Sequence, residues 1–200
     1  MNVRVLFGLL AVLAVGIVRA ESVKKIQDKL AKEADACTIC DDKVKALIKT
    51  KLIPLVADET LVKAAVAQNA KGMTQADIDK IDKEWMNAES ELPIQKEVIK
   101  GAMGDYLRKL EAQVGPVTKT FLMDNQGSLV GSSAVSEDYW QGDEEKFSKS
   151  FAKGEGHTFI DKAKVDKSTN SPMQQISLPL VDASGKVIGA LMFGVRTDKL

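Results

Sequence analysis

The apolar residues of this chain change period once, at Gly115-Pro116, and that change limits the folds open to it. Before the seam, Val23, Ile26, Leu30, Ala34, Cys37, Cys40, Val44 and Leu47 recur at steps of three and four, the spacing of one helix face. After it, short apolar runs are separated by Asp124-Asn125-Gln126-Gly127 and Asp182-Ala183-Ser184-Gly185. Asn, Asp and Gly tolerate the backbone angles of tight turns, so these segments predict hairpins. A helical region over 21–115, opened by a long helix, followed by an antiparallel sheet over 116–200, defines an α+β chain.

The helical region divides further. Pro54 interrupts the first stripe. A second helix is expected over 58–68 with Leu61, Ala65 and Val66 inward and Gly72 past its end. Thr74 can cap a third, with Asp77 three residues on and Ile78, Ile81 and Trp85 on one face. A fourth is expected over 93–114, opened by Pro93, with Gly101 and Gly104 as its weak points. In the sheet region, strands are expected over 117–123 and 128–133, a helix over 139–152, and strands over 157–161, 173–181 and 186–195.

Charge and composition remove several functions. Lys plus Arg is 28 and Asp plus Glu is 28, so the surplus of cations that phosphate contacts require is missing and no nucleic-acid partner is expected. One histidine, His157, excludes a His-rich metal site. No cofactor, metal or catalytic residue is expected. Arg4, the apolar run from Val5 to Val18 and Val18-Arg19-Ala20 form a signal-peptide pattern over 1–20 with a cut before Glu21. The run is short for a membrane span, and an uncleaved N-terminal anchor is the alternative, since Arg19 is not ideal at a cut. The expected product is an exported, periplasmic protein.

Two clusters carry chemistry. Asp138-Tyr139-Trp140-Gln141-Gly142-Asp143-Glu144 combines rigid aromatic walls with carboxylates able to orient a ligand's ammonium or hydroxyl groups. The same residues would also serve as a helix start and a buried aromatic core. Cys37-Thr38-Ile39-Cys40 places two thiols three residues apart in an exported chain, which favours a local disulfide. A thiol-redox pair is the sharper alternative, although Asp35, Asp41 and Asp42 disfavour a thiolate. Free or intermolecular thiols are the third. Asp41 directly after Cys40 excludes covalent c-type haem attachment.

Three strings, FLMDNQGSLVGSS over 121–133, SEDYWQGDEEKF over 136–147 and QISLPLVDASGKVIGALMFGV over 175–195, resemble the PDC/Cache family of extracytoplasmic sensor domains, as does IDKEW over 81–85. The resemblance covers about residues 74–200, and the middle string is its most specific part. It implies a PAS-like five-stranded antiparallel sheet with a small ligand on one face, the long N-terminal helix along the sheet, and a covering segment near the helix between strands. On that basis Asp138, Tyr139, Trp140, Asp143, Glu144, Lys146 and Ser177 are the candidate ligand-binding residues. Ser177 and Gln175 alternate with Ile176 and Leu178, and the pattern leaves open which parity faces the pocket. The expected ligand is a small polar metabolite of the amino-acid or carboxylate class. Unlike that family's receptors, the chain shows no second membrane span or output domain, so a separate membrane receptor or kinase partner is implied. Two other readings stand beside it: a CxxC redox protein, and a helical interaction protein that dimerises along the 23–48 stripe.

Overall fold

A helix over residues 20–35 (α1) opens the computed structural model, which describes residues 20–166 and 171–200. The expected signal peptide, Ala20 apart, lies outside the described residues. The stripe does not continue as one helix. Residues 36–41 leave helical geometry where Cys37 and Cys40 form a disulfide, their Cα atoms 5.6 Å apart. The Asp41 carboxylate then accepts the Val44 N–H at 2.8 Å and caps a new helix, α2 (Asp42–Leu47). Leu30, Ala34, Val44 and Leu47 nonetheless share one buried core. These four stripe residues thus pack within the chain.

A π-turn (Ile48–Leu52) and a 3-10 turn (Ile53–Ala57), the latter with Pro54 in its first turn, lead to α3 (Glu59–Asn69), capped by Asp58. Leu61 and Ala65 face inward, but Val66, expected with them, is 47% exposed because it falls outside the narrow stripe that α3 buries. Helix α4 (Gln75–Met86) begins with the Thr74–Asp77 capping box. The single helix expected over 93–114 is two, α5 (Pro93–Lys100) and α6 (Ala102–Val114). Between them the backbone turns so tightly at Gly101 that a Cβ there would lie 2.2 Å from the Glu97 carbonyl oxygen.

The sheet contains β1 (Val117–Met123), β2 (Leu129–Ser132), β3 (Phe159–Ile160), β4 (Lys164–Asp166), β5 (Ser171–Val181) and β6 (Val187–Arg196), with antiparallel pairing throughout. Its order is β2-β1-β6-β5-β3, and β4 pairs with β5 beside β3. Six strands therefore fill five positions, the PAS-like arrangement expected, with one edge position split in two.

Each sheet face carries its own core. Leu122, Ile176, Leu178, Leu191 and Phe193 pack against α1 to α3 and α6. Each such leucine contributes about 1.5–3 kcal/mol by leaving water. On the opposite face Phe121, Met123, Ala190 and Met192 meet Ile78, Trp85, Tyr139 and Phe147. The helix expected over 139–152 starts only at Glu145 (α7, Glu145–Phe151). The preceding segment is held extended against the first hairpin: Leu129 N–H donates to the Tyr139 carbonyl at 3.1 Å and Gln141 N–H to that of Gly127 at 2.9 Å.

Candidate functional site

Half of the second sheet face is filled by the Trp85–Tyr139–Phe147 core, and the other half is open. There, next to Lys119, Met173 and Gln175, lies a cavity of about 850 Å³. Its walls are the Val135–Glu137 loop, the Asp143–Lys146 segment that enters α7, and the edge strands from Phe159 to Val165. The floor follows from register. Lys119 of β1 and Gln175 of β5 both pair with Gly194 of β6, so the three form one row across the sheet with no side chain at its centre. A Cβ at Gly194 would lie 2.6 Å from the Met173 sulfur and 3.2 Å from the Lys119 Cβ.

The walls are charged. Lys146, only 7% exposed, donates to the Glu144 carboxylate at 2.9 Å, and its ammonium lies 5.3 Å from the centroid of the Phe121 ring. The Lys119 ammonium lies 5.0 Å from the same centroid. Lys164 pairs with Asp161 at 2.6 Å. Burial pushes the Asp161 carboxyl up, but its hydrogen bonds from the Lys164 ammonium and the Lys162 N–H outweigh that and hold it below the usual range. Asp143, Glu137, Val135 and Val165 are exposed residues of the lining, two carboxylates and two apolar side chains. A pocket so lined can hold a compact molecule that carries charge and some apolar surface.

The candidate residues divide. Asp143, Glu144 and Lys146 line the cavity together. Tyr139 does not: it is 1% exposed, its ring is 5.8 Å from that of Trp85, and its hydroxyl accepts a 3.2 Å bond from Gln68. Burial pushes that hydroxyl's pKa up to about 12. Trp140 donates from Nε1 to the Gln126 carbonyl at 2.7 Å, which ties it to the hairpin turn. Asp138 accepts from Gln141 and Ser136 behind the wall, and burial raises its carboxyl above the usual range. Ser177 shares the parity of Met173 and Gln175 but is completely buried, and its hydroxyl has no hydrogen-bond partner. These four are placed behind or beside the cavity rather than in its lining.

Lys119, Ser136, Phe159, Asp161, Met173 and Gln175 line the cavity and were not among the candidates. The half-buried Met173 and Gln175 alternating with the buried Gln174 and Ile176 are the signal that fixes the parity of β5. The wall is braced from behind. Trp85 Nε1 donates to the Ser136 carbonyl at 3.0 Å, and the Asp82 carboxylate accepts the Tyr139 and Trp140 N–H groups, each at 2.8 Å. Cys37 and Cys40 lie outside the cavity lining. Among the described residues no group of three or more His, Cys, Asp or Glu is placed to hold a metal ion, and no helix is long and apolar enough to cross a membrane.

No family model and no curated protein matches the sequence. Among solved structures, the sensor domain of the Vibrio cholerae histidine kinase DctB is similar over 86% of this chain and 55% of its own, at 18% identity and a TM-score of 0.43. The ligand-binding domain of the Campylobacter jejuni chemoreceptor Tlp3, in complex with L-valine, is similar over 76% and 62%, at 16% identity and a TM-score of 0.36. An extracellular ligand-binding receptor from Desulfohalobium retbaense is similar over 73% and 25%, at 15% identity and a TM-score of 0.36. The chain thus spans less than two thirds of these neighbours' own length. By their descriptions all three are sensor, ligand-binding or receptor proteins.

Proposed function

We propose that this chain is an exported sensor module that binds a small polar metabolite in the cavity over Lys119 and Gln175 and passes its state to a separate membrane partner. The observation that supports this most is the cavity itself: about 850 Å³, charged on its walls and open on a sheet face that is elsewhere closed by packing. Ligand contact on Phe159 has a direct route to the N-terminal helix. Thr158, the next residue, donates its N–H to Glu33 of α1 at 2.7 Å, and Lys29 of α1 donates to the Gly156 carbonyl at 2.7 Å. A ligand that binds one arrangement of this edge better than another shifts its population, and α1 carries that shift. The proposal involves binding, not turnover, and places the module in the periplasm after removal of residues 1–20.

The test is a thermal-shift screen of the purified, exported protein against a library of amino acids, carboxylates, amines and nucleosides, followed by calorimetry. At least one compound should raise the melting temperature, and Gln175→Leu should weaken that effect. Failure of every compound to shift it overturns the proposal.

A further inference from the structure

We propose that the Cys37–Cys40 bridge is a thiol–disulfide exchange site, open to the dithiol of a partner protein, and not a staple of the fold. The bridge lies outside the cavity lining, so this inference stands apart from the metabolite reading and its test uses no metabolite.

The first observation is how little the bridge holds. Its cysteines are three positions apart, and closing so short a loop removes little freedom from the unfolded chain. Both flanks are fixed without it. Leu30 and Ala34 before it and Val44 and Leu47 after it are buried in one core, and the Asp41 carboxylate caps α2. A bridge that lends the fold little stability receives little in return, so folding protects it little from reduction.

The second observation is access. Residues 36–41 lie outside any helix or strand, and Ala36, Thr38, Ile39 and Asp41 are exposed around the half-buried cysteines. Exposed disulfides are the ones that exchange with outside thiols. Ile39, between the two cysteines, holds a large apolar side chain 48% exposed. Covering it with an apolar residue of a partner favours docking at the bond. Of the three acids nearby, two are engaged: Asp35 pairs with Lys49 at 2.6 Å and Asp41 accepts the Val44 N–H at 2.8 Å. An incoming thiolate therefore meets less negative charge than the sequence suggests.

Cys40 packs against the core, which leaves Cys37 as the sulfur that is attacked. The partner's thiolate bonds to Cys37 Sγ, the Sγ–Sγ bond breaks, and its electron pair leaves on Cys40 Sγ, which takes up a proton. The partner's second thiol loses its proton and attacks its own sulfur in the mixed disulfide, and Cys37 leaves as a thiol. Two electrons have passed to the bridge and the partner departs as a disulfide. Reduction frees a segment that begins just past Glu33, the residue that joins α1 to Thr158, so the partner's redox state reaches α1.

Reduction of the intact exported protein by dithiothreitol, followed by alkylation and intact mass measurement, tests this. Both thiols should appear while the aromatic near-ultraviolet circular dichroism is kept, at a rate proportional to dithiothreitol, and oxidised glutathione should restore the bridge. A rate that levels off as dithiothreitol rises, or reduction only with loss of the aromatic signal, means that the fold must open first and overturns the proposal. Thioredoxin, as a protein dithiol, should reduce the bridge as well. Ile39→Ser should slow thioredoxin several-fold and leave dithiothreitol unaffected, and slowing of both or of neither overturns docking at the bond. The thiol left in Cys40→Ser should react with an aromatic disulfide faster than that left in Cys37→Ser, and the opposite order overturns Cys37 as the attacked sulfur.

Discussion

The Glu33 carboxylate accepts the Thr158 N–H at 2.7 Å, joining the N-terminal helix to the sheet edge across 125 positions of sequence. Its other oxygen lies 2.8 Å from His157 Nδ1. Together with the Lys29 bond to the Gly156 carbonyl and the Thr158 hydroxyl bond to the Leu30 carbonyl, this contact ties α1 to the edge that borders the cavity, and Glu33 is expected to contribute to how firmly α1 reports on it. Glu33→Ala should lower stability by about 1–3 kcal/mol, the penalty for leaving a half-buried N–H without its acceptor. Hydrogen exchange should show the Thr158 amide losing protection while those of β6 keep theirs. Unchanged exchange at Thr158 would mean that the helix and edge are held together by other contacts.

Asp82 accounts for the motif IDKEW in physical terms. Its carboxylate takes two backbone N–H groups at once, those of Tyr139 and Trp140, and so fixes the extended segment behind the cavity wall. Asp82→Ala orphans both donors and should cost about 2–4 kcal/mol. Asp82→Asn, which can still accept through its amide oxygen, should cost distinctly less. Urea denaturation of the two variants checks this, and equal losses would argue against the backbone role.

Much of the fold was legible in the sequence because its signals are local. The Thr74–Asp77 box and the two Asp-initiated turns each depend on residues within a few positions, and each appears where expected. Where distant residues decide, the sequence was mute. The 139–144 segment has helix-like composition, yet residues 139–141 run along the first hairpin because Asp82 and the Gly127–Leu129 backbone take their hydrogen bonds, and 142–144 form a turn before α7. Tyr139 has the chemistry of a ligand contact, but Gln68 and Trp85, far away in the chain, draw it into the core. Lys119 and Gln175 gave no local sign of being neighbours, since only the three-strand register across Gly194 brings them together.

The buried Tyr139 hydroxyl makes alkaline stability a test of that core. Burial pushes its pKa from 10.0 to about 12. The unfolded chain thus loses its phenolic proton first. The stability this tyrosine contributes is complete below pH 10 and is lost as pH rises towards 12, by about 2–3 kcal/mol in all. Tyr139→Phe removes that loss. At neutral pH it should cost about 1 kcal/mol through the broken bond from Gln68. Denaturation midpoints measured from pH 8 to 12 should therefore converge as pH rises past 10 and cross before 12, where the phenylalanine variant becomes the more stable, and parallel curves would place the hydroxyl in water.

The Cys37–Cys40 bridge closes a very short loop, so its effect on the unfolded chain is small, about 2 kcal/mol on the chain-entropy account. Replacing both cysteines by serine should lower the melting temperature by a few degrees and leave the cavity intact, since neither residue lines it. Reductant applied to the wild-type protein should produce the same shift. A loss of metabolite binding in the double variant would link the bridge to the site.

The segment after α7 offers a gain in stability instead. Ala152 and Lys153 both adopt positive φ, 46° and 54°, within the turn that brings the chain from α7 to Gly156 and the contacts with α1. A left-handed conformation strains a residue with a Cβ by roughly 1–2 kcal/mol, while glycine adopts it freely. Lys153 is exposed, so replacing it disturbs no packing. Glycine also widens the unfolded ensemble, which offsets part of the relief. The balance predicts that Lys153→Gly stabilises the chain by about 0.5–1 kcal/mol. Lys153→Val, β-branched and ill-suited to positive φ, should destabilise it. Calorimetric melting of the pair reads the sign directly, and a destabilised glycine variant would show that the Lys153 side chain contributes more than its backbone angle costs.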